Sequence, residues 1–148
     1  MRIAVIDGQG GGIGKAIVER LHKELSMDVK IIALGTNSAA TVLMLKAGAD
    51  EGATGENAIV FNSRKVDIII GPIGIIVANS MMGELTPRIA EAVSESSAKK
   101  VLIPLNKCSI EIIGVTNDPL PQLIDNAILK IKEYIKNLQP PFMEYSEP

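Results

Sequence analysis

Five glycines fall within residues 7–17, DGQGGGIGKAI, directly after the apolar run RIAVI of residues 2–6. A glycine has no side chain, so a run of them lets another molecule come close to the backbone. Where such a run opens a helix, the unpaired N–H groups of the first turn and the helix dipole attract anions, phosphate among them. The residues placed for this chemistry are Gly8, Gly10, Gly11, Gly12 and Gly14, with Gln9 and Ile13 between them. Lys15, in the first helical turn, is set either to reach a phosphate or to lie in solvent. Asp7 is the odd member, because a carboxylate repels a neighbouring phosphate. It fits one of two roles: accepting backbone N–H groups to brace the loop, or holding a magnesium ion. The blander alternative is a tight turn left bare for packing alone, although five glycines exceed what one turn needs.

Further candidates lie in small polar loops that would close the same end of a parallel sheet, where open α/β folds bind ligands. GTNSAAT (35–41) supplies Thr36 and Asn37, and GPIG (71–74) supplies Gly71 and Pro72. NKC (106–108) follows a later strand, and ANSMMGELTP (78–87) supplies Asn79, with Ser80 and Glu84 beside it. NAD-binding proteins usually carry an acid after the second strand to read the ribose hydroxyls. Thr36 and Asn37 stand there instead, as ribose-reading side chains or as an ordinary helix cap. NAD, NADP, ATP and a smaller phosphate all remain open. GADEGATGEN (48–57) gathers Asp50, Glu51 and Glu56, but its spacing matches no calcium loop and reads as solvated turn. His22 sits among charged residues on an outer helix face, and Cys108 has no evident base beside it, so both read as bystanders.

The spacing of the glycines separates related loops. The common dinucleotide form G-x-G-x-x-G fails, since counting from Gly8 meets Gly10 and then Ile13. Counted as G-x-x-x-G-x-G, the residues Gly8, Gly12 and Gly14 fit, and with GIGKAI following the loop resembles the cofactor loop of short-chain dehydrogenases. That resemblance implies that Gly8 makes the turn, Gly12 lets a pyrophosphate approach, and Gly14 lets the helix pack on its strand. It does not extend to their catalytic Tyr-x-x-x-Lys, because Tyr134 is followed four residues on by Leu138 and Tyr145 lies near the end. QGGGIGKA (9–16) also looks like a P-loop variant, but Gln9 replaces the leading glycine and Ala16 the magnesium-holding hydroxyl. LNKCS (105–109) imitates the guanine-reading Asn-Lys-x-Asp of GTPases, with Ser109 where the carboxylate belongs.

Composition narrows the partners. A net charge of -2 gives no basic footprint for nucleic acid, and two Phe, two Tyr and no Trp give no stacking platform. One cysteine and one histidine exclude an internal disulfide and the usual zinc constellations. The longest apolar stretch, IIIGPIGIIVANSMM (68–82), is broken by Pro72, Asn79 and Ser80 and is too short to span a bilayer. With no secretory pattern at the start, the expected location is the cytoplasm and no membrane is involved.

The elements that must position these residues alternate between β-rich runs and amphipathic stretches, the pattern of an α/β fold with a parallel sheet. Strands are expected at 2–6, 29–34, 66–70 and 100–105, and IEIIGV (110–115) offers a fifth. Helices are expected after the glycine loop, from Ser38 as N-cap to Ala47, over 56–65, over 86–96 with Thr86 capping and Pro87 first, and over 120–138. The tail QPPFMEYSEP (139–148) cannot continue that last helix through Pro140 and Pro141. Its Phe142, Met143 and Tyr145 suit either docking on a partner subunit or disorder.

As a set, IDGQGGGIGKAI, LGTNSAAT, LKAGAD, GATGENAI, GPIGI, ANSMMGELTP and IPLNKC are similar to an uncharacterised family of short bacterial proteins with a Rossmann-like fold, classed as a domain of unknown function. The similarity implies fold and kinship, with no activity to carry over. The expectation is therefore an α/β, three-layer, open parallel sheet of about five strands, forming one unit over 1–138 with the tail beyond it. It would bind NAD(P) or another nucleotide through the Gly8–Gly14 loop, as a sensor or accessory subunit in a homodimer. Two alternatives stand beside it: a small magnesium-dependent enzyme using Asp7 and Lys15, and an interaction module whose glycine turn is purely structural.

Overall fold

The computed structural model of the chain describes residues 1–105 and 109–138. The NKC loop with Cys108 and the tail from residue 139 lie outside the described residues. The first strand, β1 (Arg2–Asp7), leads through the glycine loop into α1 (Gly12–Glu24). β2 (Lys30–Gly35), α2 (Ser38–Lys46), β3 (Glu51–Thr54) and α3 (Glu56–Ser63) follow, then β4 (Ile68–Pro72), α4 (Pro87–Glu95), β5 (Lys99–Ile103) and α5 (Leu120–Leu138).

All strand pairs are parallel, in the order β3-β2-β1-β4-β5. Ile3 of β1 is level with Ile31 of β2 on one side and Ile68 of β4 on the other. Ile3, Ala4, Val5 and Ile6 are fully buried, as a central parallel strand covered on both faces requires. Alternate residues feed two cores. Ile3 and Val5 pack with Ile17 and Leu21 of α1, Met44 of α2 and Ile128 and Ile131 of α5. Ala4 and Ile6 pack with Ile59 of α3 and Ile89 and Val93 of α4. The result is the three-layer Rossmann-like arrangement, with the sheet between two helical layers.

Two expectations need correction. IEIIGV forms no strand: Ile113 is 89% exposed and Gly114 turns the chain at φ +87°. The fifth strand is β3, inside the stretch that reads as a solvated turn. It lies at the sheet edge with three of its four residues exposed, so no apolar run marks it in the sequence. The cap of α2 also moves by one residue. The side chain of Asn37, not Ser38, accepts the Ala40 N–H at 2.9 Å.

The strand order reverses at β1, whose neighbours β2 and β4 lead to opposite edges. In an open α/β sheet, the ends of the strands at such a reversal leave a crevice that the connecting loops do not fill.

Candidate functional site

The glycine loop emerges from that crevice. The Gly11 N–H donates to the Gly8 carbonyl at 2.9 Å, closing a turn, and the Lys15 N–H then donates to the Gly11 carbonyl as α1 begins. Asp7 is 3% exposed, and its two carboxylate oxygens accept the N–H groups of Gly8 at 2.8 Å and Gly14 at 2.6 Å. This carboxylate thus ties the strand end to both ends of the loop.

The five glycines divide into two sets. Gly8, Gly11 and Gly14 are buried, and a Cβ on any of them would collide with the protein itself. On Gly8 it would lie 2.2 Å from Thr36 Oγ1, and on Gly14 2.6 Å from Met44 Sδ and 2.8 Å from Asp7 Cβ. Gly11 has φ +74°, and its Cβ would lie 2.7 Å from the backbone of Ala40. Gly10 and Gly12 are exposed, and a Cβ there would meet nothing within 4 Å among the described residues. Among the described residues no acceptor takes the N–H groups of Gly10, Gly12 or Ile13.

These bare positions face a cleft of about 770 Å³ beyond the ends of β1 and β4. Asp7 to Ile13 form one side. The other is largely apolar, with Pro72, Met81, Met82, Leu105 and Leu120, together with Gly74 and Ser80. The Ser80 hydroxyl donates to the Gly74 carbonyl at 2.6 Å. The backbone on either side of Ser80 is contorted: Asn79, Met81 and Met82 all have φ between +56° and +64°, unusual for residues with side chains. Met82 is 96% exposed.

Thr36 and Asn37 lie behind the loop, against Glu84. One oxygen of Glu84 accepts from the Gln9 N–H at 3.0 Å, from Thr36 Oγ1 at 2.8 Å and from Asn37 Nδ2 at 2.6 Å. Asn37 Nδ2 also donates to the Gln9 carbonyl at 2.9 Å. Burial of Glu84 works against its charge, but the donors Asn37, Gln9 and Thr36 outweigh it and hold the carboxyl below the usual glutamate value.

A family model described as "Domain of unknown function (DUF3842)" matches residues 2–136. The chain belongs to that family. Among curated proteins no relative matches the sequence. Two solved structures resemble this DUF3842 chain in fold. Saccharopine dehydrogenase (L-Glu forming) from Saccharomyces cerevisiae is 10% identical with a TM-score of 0.47; the match covers 87% of this chain. The chain spans only 25% of the length of that dehydrogenase. A dodecameric FMN-dependent UbiX-like decarboxylase from Escherichia coli O157:H7 is 16% identical with a TM-score of 0.43, over 100% of this chain and 86% of that one.

Of the residues that the sequence singles out, the DUF3842 fold brings Asp7 to Ile13 and Pro72 together at the cleft. Gly14 lies beneath the loop, and Gly71 is buried in β4, where a Cβ would approach the Ile6 carbonyl to 2.4 Å. Lys15 and Asn79 are exposed and line no part of the cleft; the Lys15 ammonium faces Glu19 at 3.8 Å. Thr36 and Asn37 stand apart from the cleft, engaged by Glu84. The apolar wall of Met81, Met82, Leu105 and Leu120 and the partners of Glu84 are not marked by any motif in the sequence. A signal for Met82 existed, in two large apolar residues inside a polar loop. Among the described residues, no three His, Cys, Asp or Glu side chains cluster as metal ligands. No described helix is long and apolar enough to cross a membrane.

Proposed function

We propose that the chain binds a nucleotide-like ligand, with its phosphate on the N–H groups of Gly10, Gly12 and Ile13 at the start of α1. One observation carries this reading. Gly8, Gly11 and Gly14 are bare because the fold leaves no room, whereas Gly10 and Gly12 are bare where none of the described residues demands it. Their bareness has a use only if something outside the chain comes close, and they face the cleft at the strand-order reversal. The volume of the cleft suits a small-molecule ligand. NAD(P) and mononucleotides are both candidates by this chemistry. In this reading residues 1–138 form one nucleotide-binding unit, working as a sensor or accessory subunit in a cytoplasmic homodimer.

The test is Gly12→Ala, assayed by calorimetric titration with AMP, FMN and NAD alongside thermal unfolding. Alanine at an open helical position stabilises by up to about 1 kcal/mol, so Tm should hold or rise. Affinity for whichever nucleotide binds should fall on the order of tenfold or more. A lowered Tm with unchanged affinity would mean that the glycines serve packing alone.

The magnesium-dependent enzyme reading draws no support from the site. Both oxygens of Asp7 accept backbone N–H groups, and Lys15 lies outside the cleft.

A further inference from the structure

The space beside the glycine loop is one-sided. Toward β4 and β5 none of the described residues fills it, and Pro72, Met81, Met82, Leu105 and Leu120 wall it. Toward β2 it is occupied. Glu84 reaches across from the segment after β4 and meets the Gln9 N–H, Thr36 Oγ1 and Asn37 Nδ2 at 3.0, 2.8 and 2.6 Å. Met81 closes the same place from above, since a Cβ on Gly8 would lie 2.8 Å from its sulfur. None of Thr36, Asn37 or Glu84 lines the cleft.

A dinucleotide needs both sides. It lies across the strand-order reversal, and its adenosine ribose is read at the end of the second strand. Here the polar groups at that end are Thr36 and Asn37; their side-chain donors are already engaged with a carboxylate of the same chain, and the Asn37 side-chain oxygen with the Ala40 N–H. A ribose hydroxyl could enter only by displacing Glu84. The extra phosphate of NADP would also meet its negative charge, which the surrounding donors stabilise.

Resting on the phosphate-binding reading above, we infer that the site takes a phosphate monoester of mononucleotide size, lying toward β4 and β5, and excludes the adenosine half of a dinucleotide. The phosphate sits at Gly10, Gly12 and Ile13. The body of the ligand lies on the apolar wall, where two methionines, with unbranched and adaptable side chains, suit a flat ring. Glu84 is a positioning residue: it holds the loop and blocks the β2 side without touching the ligand.

The full chain, titrated with AMP, FMN, NAD, NADP and inorganic phosphate, tests this by calorimetry and by backbone amide shifts. The better mononucleotide should bind more tightly than either dinucleotide and than inorganic phosphate, by on the order of tenfold. Its shifts should take in Gly10, Gly12, Ile13 and Leu105 while Thr36 and Asn37 stay still. Glu84→Ala should narrow the gap between mononucleotide and NAD. Three results would overturn the inference yet leave the glycine-loop reading standing: NAD binding as tightly as the mononucleotides, shifts at Thr36 and Asn37 with any of them, or inorganic phosphate binding equally well. If no compound moves the Gly12 and Ile13 amides, the phosphate-binding reading fails and this inference with it. The amide footprint is read on the unaltered chain, so a poorly folding Glu84→Ala does not blunt the test.

Discussion

A single methyl group distinguishes the two kinds of glycine. Gly11→Ala puts a side chain at φ +74° and a Cβ 2.7 Å from the backbone of Ala40, which cannot retreat as a side chain would. A loss of about 1–3 kcal/mol is expected in urea unfolding. Gly10→Ala, with open space around it, should stay within about 0.5 kcal/mol. Asp7→Asn tests the brace. An amide can present only one acceptor oxygen to the Gly8 and Gly14 N–H groups, and turns an NH₂ toward the other. One buried donor is then unsatisfied, and about 1–3 kcal/mol of stability should go with it. Nucleotide affinity of the parent chain should not respond to magnesium, measured by titration with and without a chelator. At this scale the sequence is legible where spacing alone carries meaning: G-x-x-x-G-x-G already marks Gly8, Gly12 and Gly14. Glu84 stays hidden because its partner Gln9 is 75 positions away, a neighbour only once the strands have paired.

Between elements, Glu84 joins three segments: the end of β1 through Gln9, the end of β2 through Thr36 and Asn37, and its own turn before α4. Its carboxyl is held below the usual glutamate value in the folded chain. A group depressed in this way stabilises the fold above its unfolded-state value, and that contribution disappears as the pH falls through the folded-state value. Acid unfolding of the parent chain should therefore steepen below about pH 4.3, the ordinary glutamate value. Glu84→Gln should flatten that limb and leave the neutral-to-alkaline side of the profile alike in shape. The elements themselves are mostly legible. Thr86 and Pro87 announce α4, and the continuous apolar runs announce β1, β2, β4 and β5. Local pattern misleads in two places. IEIIGV has β-forming residues but no strand beside it, while Glu51–Thr54 has a strand beside it and no β-forming run. Pairing is a property of the sheet, and a segment at its edge need not advertise it.

For the whole molecule, the order β3-β2-β1-β4-β5 puts the glycine loop at the one place where neighbouring connections part to opposite edges. That a cleft should open there follows from alternating strands and helices; that its wall is methionine and leucine does not, since Met81 and Met82, Leu105 and Leu120 come from three separate stretches of the chain. The proposed homodimer is checked by native mass spectrometry, which should give twice the mass of the chain and, in gently purified samples, an added mass of mononucleotide size. A mass equal to one chain would overturn the dimer. The same strand order also fixes a schedule for synthesis. β1 is made before both strands that pair with it, and its second neighbour does not exist until Ile68–Ile70 have been made. The face formed by Ile3 and Val5 is covered in part by Ile128 and Ile131 of α5, the last helix among the described residues. During synthesis the central strand β1 must therefore wait with one face incompletely covered until α5 has been made, so that folding of the sheet is completed from its C-terminal side.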